Sequence, residues 1–149
     1  MNSNEKITKT DAREKISLLW VVVMFNMAFA DIVGFVHPGS LEDIIAGNVG
    51  FELTQGLLLL FSILIEIPIA MIFLSRILND TANRRLNIFA AILTAIFVIG
   101  GGSATLSYVF FASIEVLCMG LIAWYAWQLP KRASAHDLVQ SENVVPSAR

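Results

Sequence analysis

Residues 54–78, TQGLLLLFSILIEIPIAMIFLSRIL, decide how this chain folds. Within that run only Glu66 and Arg76 carry charge. A helix rises about 1.5 Å per residue, so about 20 apolar residues cross a hydrocarbon core of roughly 30 Å, and this run is long enough to do so. A water-soluble fold would have to hide it completely, and the rest of the chain cannot supply the cover. The protein has 149 residues, of which 56% are hydrophobic, and its mean hydropathy is +0.71. Soluble domains hold roughly 45–50% apolar residues.

Three further apolar runs flank the first. Residues 16–36 are broken only by Ser17, Asn26 and Asp31, and residues 86–100 close on Gly100-Gly101-Gly102-Ser103. Residues 104–129 end at Pro130-Lys131-Arg132. The expected fold is therefore all-α, a four-transmembrane-helix bundle over 16–130, with spans near 16–36, 54–78, 86–100 and 104–129. Residues 1–15 form a polar N-terminus and 131–149 a polar tail without periodicity. His37-Pro38-Gly39-Ser40 reads as a helix stop and turn. Ser40 is expected to cap a short interfacial helix over 41–46, with Glu42 and Asp43 in its first turn where the helix dipole favours acids. Residues 79–85 read as a polar link. Ala28-Phe29-Ala30 resembles a signal-peptidase site, but the apolar pattern continues through Val36, so the segment reads as a retained span.

Charge sets the expected orientation. Lys6, Lys9, Arg13 and Lys15 precede span one; Arg76, Arg84 and Arg85 lie between spans two and three; Lys131, Arg132 and Arg149 follow span four. These ten basic residues all fall on one side of a four-span topology. The positive-inside rule then predicts that both termini are cytoplasmic. Trp124, Tyr125 and Trp127 add an aromatic belt on that side.

Composition also excludes functions. A net charge of −2 without a basic, aromatic-interleaved patch argues against nucleic acid as a partner. Cys118 is the single cysteine, so neither an internal disulfide nor a CxxC redox pair can form. His37 and His136 have no metal-ligand spacing, and no cofactor motif is present, so no metal and no cofactor are expected.

Asp31, Glu66 and Glu115 interrupt apolar spans. A carboxylate at a helix centre costs about 2.5–3.5 kcal/mol on insertion scales. No Lys or Arg lies in the central part of any span, so these acids must be protonated, be hydrogen-bonded, reach water or hold an external cation. Counting from the span ends puts Asp31 about 9 Å deep, Glu66 about 18 Å and Glu115 about 12–17 Å. Asn26, Glu66 and Glu115 are thus expected in one layer, with Asp31 above it. At 100° per residue Gln55, Ser62 and Glu66 share a face, as do Tyr108 and Glu115, and Asn26, Val33 and His37. Asp31 lies about 140° from Asn26, which directs it into a different groove or toward a second subunit. Asn87, Thr94 and Gly101 form a mild polar stripe on span three. Pro68 frees the carbonyl of Leu64 beside Glu66, a candidate element of a cation site, although a lone proline more often only shapes packing. The candidate ligand-binding set is Asn26, Asp31, Glu66, Glu115, Tyr108, Gln55 and His37; no catalytic residue is assigned. The bland reading makes Glu66 and Glu115 protonated clamps across the bundle and His37 a turn residue.

The strings Asn26-Met-Ala-Phe-Ala-Asp31-Ile-Val-Gly34, Glu66-Ile-Pro68, Asn83-Arg84-Arg85-Leu-Asn87, Phe110-Phe111-Ala-Ser-Ile-Glu115 and Trp124-Tyr125-Ala126-Trp127 resemble an uncharacterised family of small bacterial four-helix membrane proteins. More distantly, the architecture is similar to the DoxX-like proteins. The resemblance implies a bacterial inner-membrane location and no established activity.

Three functional classes follow. A small-ligand, cation or proton binding or transport protein would use the carboxylates directly, and its small size suggests a homodimer. A structural or assembly subunit would use them to hold the bundle. A lipid-modifying enzyme would need an acid–base pair, and it ranks last because no nucleophile or metal motif accompanies the acids. The lipid bilayer and a small cationic or protonated ligand are the expected partners.

Overall fold

The structure is a computed structural model that describes residues 3–47, 52, 54–102 and 105–129, with side chains from residue 11 onward. Five helices follow in order: α1 (Ser3–Val36), α2 (Ser40–Ala46), α3 (Gln55–Ile77), α4 (Asp80–Gly100) and α5 (Leu106–Gln128). No strand occurs among the described residues. Four of the helices contain segments long and apolar enough to cross a membrane: Asp11–Val36, Gln55–Ile77, Asp80–Gly100 and Leu106–Gln128. The chain is an all-α, multi-pass membrane bundle.

The helix ends follow from local chemistry. Thr54, Asn79 and Thr105 each place a side-chain oxygen on a first-turn N–H, of Leu57, Ala82 and Tyr108 respectively. Two boundaries differ from expectation. The third span begins at Asp80, not near residue 86, because the Asn79 cap and Asp80 in the first turn draw the polar link into the helix. Only Leu78 and Asn79 then join α3 to α4. The cap of α2 is Gly39, at φ 88, and it makes no side-chain hydrogen bond; Ser40 is already helical. Gly47, at φ 75, ends α2 with its N–H on the carbonyls of Asp43 and Ile44, a left-handed conformation that glycine adopts without strain. α2 buries nothing and leaves Leu41 and Ile45 exposed, as an interfacial helix does. α1 extends back through the polar N-terminus because nothing there breaks a helix; neither Gly nor Pro occurs before Gly34.

Each span meets two others. α1 packs against α3 and α5, and α4 packs against the same pair, which closes an antiparallel ring. Ile16, Trp20, Val23, Met27 and Ala30 step inward along α1 at alternating intervals of four and three. The inward stripe of α4 is Asn83, Asn87, Ala90, Ala91, Thr94 and Val98. Met71 of α3 and Cys118, Met119, Ile122 and Ala126 of α5 complete the core.

The two ends of the ring differ in chemistry. Arg13, Lys15, Arg76, Arg84 and Arg85 stand at one end, here termed the basic end. There Trp20 Nε1 donates to Asn87 Oδ1 at 2.7 Å, and Ser75 Oγ lies 3.0 Å from the same oxygen. Asn83 Nδ2 donates to the Ser75 carbonyl at 2.7 Å, and Asn87 Nδ2 donates to the Asn83 carbonyl at 2.9 Å and to Asn83 Oδ1. Toward the surface, Ser17 Oγ donates to the Ile72 carbonyl and accepts from Arg76 Nε, while Arg13 pairs with Asp80 at 2.6 Å. Arg84 lies over the Trp127 ring, 4.3 Å from its centre.

Candidate functional site

The opposite half of the bundle is less tightly filled. Between all four spans lies a cavity of about 100 Å³. Met27, Ala30 and Asp31 of α1 line one side and Ile65 of α3 another. Phe97 and Val98 of α4, with Gly101 just beyond, close the third, and Tyr108 and Glu115 of α5 the fourth. Among the described residues no Lys or Arg lines it.

Glu115 is only 3% exposed, and its Oε1 is buried without a hydrogen-bond partner. Burying a polar oxygen unpaired costs about 1–3 kcal/mol, and an unpaired charge costs more. Glu115 lines the cavity beside this oxygen, and the space is large enough to hold water or one compact cation. Thr94 Oγ1, on the same inward stripe of α4 as Val98, is also buried without a partner. Asp31 stands exposed at the rim of the cavity and brings a second carboxyl to it. Tyr108 hydrogen-bonds through its hydroxyl to the carbonyl of Val98, which ties α5 to α4 beside the cavity. On its other side the same ring borders an open, mainly apolar groove of about 590 Å³ along Ile99, Val109, Ala112 and Val116. A Cβ at Gly102 would overlap the Tyr108 ring, so glycine lets the ring take this position.

The sequence-derived candidates separate in space. Asp31, Tyr108 and Glu115 come together at the cavity. Asp31, about 140° from Asn26, was expected in a different groove or toward a second subunit; four residues after Met27 on α1, it lines the cavity together with Glu115. Glu66 does not meet Glu115 inside the bundle. The inward face of α3 carries Pro68, Met71 and Ser75, and Glu66, two residues before Pro68, projects about 200° away and is exposed. Asn26 donates to the carbonyl of Val22 on its own helix at 3.3 Å and does not line the cavity. Gln55 and His37 are exposed near helix ends.

Sequence reasoning passed over the polar group at the basic end. Asn83 and Asn87 are fully buried there with Trp20 and Ser75. Asn87 was already on the polar stripe of span three, whereas Asn83, four residues before it and in step with that stripe, lay in a segment read as a link. Among the described residues no group of three or more His, Cys, Asp or Glu could hold a metal ion.

Fold and cavity together define a multi-pass helical membrane protein with two carboxyl groups at a central cleft. The chain belongs to DUF6326, a family of unknown function whose sequence pattern matches residues 6–134. No curated protein matches it, and no solved structure does.

Proposed function

We propose that this protein binds a small cation, a proton or a compact protonated amine, between Asp31 and Glu115 and passes it across the membrane. One observation carries the reading: Glu115, with a buried and unpartnered carboxyl oxygen, lines a cavity that a second carboxyl also lines. A neutral ligand would leave the two acids to repel or to stay protonated; a cation between them is attracted by both carboxyl groups. Tyr108 positions the ligand side of α5 through its bond to Val98. The resemblance to small bacterial membrane proteins supports an inner-membrane location. The gathering of Arg13, Lys15, Arg76, Arg84 and Arg85 at one end supports cytoplasmic termini, with the cavity toward the outer side.

The test is flux in proteoliposomes of the purified protein, driven by a proton gradient or a methylammonium gradient. Glu115→Gln is expected to lower flux at least about tenfold, as loss of a charge at a binding site does. Asp31→Asn is expected to weaken uptake from the cavity side, and Glu66→Gln to leave flux within about twofold. Unchanged flux in both Glu115→Gln and Asp31→Asn overturns the reading.

A further inference from the structure

Glu66 lies at the midpoint of α3, eleven residues from Gln55 and eleven from Ile77. At 1.5 Å per residue each end is about 16 Å away, which is the middle of a bilayer core. Its side chain is exposed and makes no hydrogen bond or ion pair with the described residues. Lipid tails offer such a carboxyl nothing to bond to. α3 is also the span its own bundle covers least: 11% of it is buried, against 28%, 33% and 22% for α1, α4 and α5.

The exposed face has a regular pattern. Leu59, Glu66 and Phe73 are seven apart, and Ser62 and Ile69 fall between them, all exposed. Three–four spacing of this kind puts these residues on one face of the helix, as the seam of a helix pair requires. The corresponding outward face of α4, with Phe89, Ile92, Ile96 and Ile99, is wholly apolar and suits lipid.

We infer that α3 forms the interface of a homodimer, with the Glu66 side chains of the two copies hydrogen-bonded to each other at the bilayer centre. A twofold axis along the membrane normal brings each residue of one α3 opposite the same residue of the other, at the same depth. A protonated carboxyl is both donor and acceptor, so Glu66 is complementary to itself without any basic partner. Ser62, one turn away on the seam, adds a small hydroxyl that lets the helices approach. The proposal is independent of the Asp31–Glu115 site, since Glu66 does not line that cavity.

The experiment uses the full chain in lipid bilayers on a Cys118→Ala background. Single cysteines at Leu59 and at Phe73 are expected to form intermolecular disulfides that persist as the protein is diluted in lipid, whereas a cysteine at Ile96 is not. In parallel, single-molecule photobleaching counts copies per particle. Glu66→Leu is expected to raise the dimer dissociation constant about tenfold, and Glu66→Gln, which still donates and accepts, to keep it within about threefold of the parent. A monomeric parent, cross-linking at Ile96 equal to that at Leu59, undiminished dimer in Glu66→Leu, or a different protein co-purifying on this face would each overturn the proposal. Neither Glu66 variant touches the core, so loss of dimer is read apart from loss of fold.

Discussion

The Tyr108 ring sits where a side chain at residue 102 would otherwise be, and its hydroxyl is bonded to the Val98 carbonyl. Gly102→Ala must therefore turn the ring away and break that bond. The expected cost is about 1 kcal/mol, the worth of one hydrogen bond, and Tyr108→Phe is expected to cost about the same. Because both changes break that same bond, the double variant should lose less than the sum of the two single losses, as a double-mutant cycle of thermal midpoints in detergent would show. Full additivity would disprove the shared contact. Glu115 gives the opposite expectation for stability. Its unpartnered oxygen is a cost to the fold, so Glu115→Leu, similar in volume, should stabilise the bundle by about 1–2 kcal/mol while abolishing ligand exchange. A clamp between helices would instead be lost in that variant and the midpoint would fall.

At the scale of elements, the group around Asn87 joins α1, α3 and α4 at one level. Asn87→Ala leaves Trp20 Nε1 and Asn83 Oδ1 without their partner, while Ser75 Oγ keeps the Met71 carbonyl, and a loss of about 2–3 kcal/mol is expected in denaturant titrations. The Trp20 emission should shift to the red as its surroundings loosen. Asp80→Asn removes the ion pair to Arg13, whose two side chains are 25% and 28% exposed, and is expected to cost less than about 1 kcal/mol and to depend on salt. If Asp80→Asn proved the more damaging, the order of importance given to the two groups would be wrong. The polar run at 79–85 shows why this level was hard to read in advance. Charged residues suggest a loop, but a capped first turn makes them helical, and only then does Asn83 fall in step with Asn87.

For the whole molecule, the basic end and the α2 end should lie on opposite sides of the bilayer. On the Cys118→Ala background, a cysteine at Glu42 is expected to react with a membrane-impermeant maleimide added to intact cells, and one at Arg85 only after permeabilisation. The reverse pattern would invert the topology. Four apolar runs, their approximate limits and the charge asymmetry behind this expectation are local or additive properties, so the amino-acid sequence alone determined the all-α, four-span architecture. It also determined that Tyr108 and Glu115 share a face, because both are on one helix seven residues apart. The choice of Asp31 over Glu66 as the companion of Glu115 was made only by tertiary structure. Helical phase relates residues within one span, but which face of α1 or α3 turns inward depends on how all four stripes fit together. Trp20, Met71 and Ile122 occupy the interior, and that packing brings Asp31 to the cavity and sends Glu66 outward.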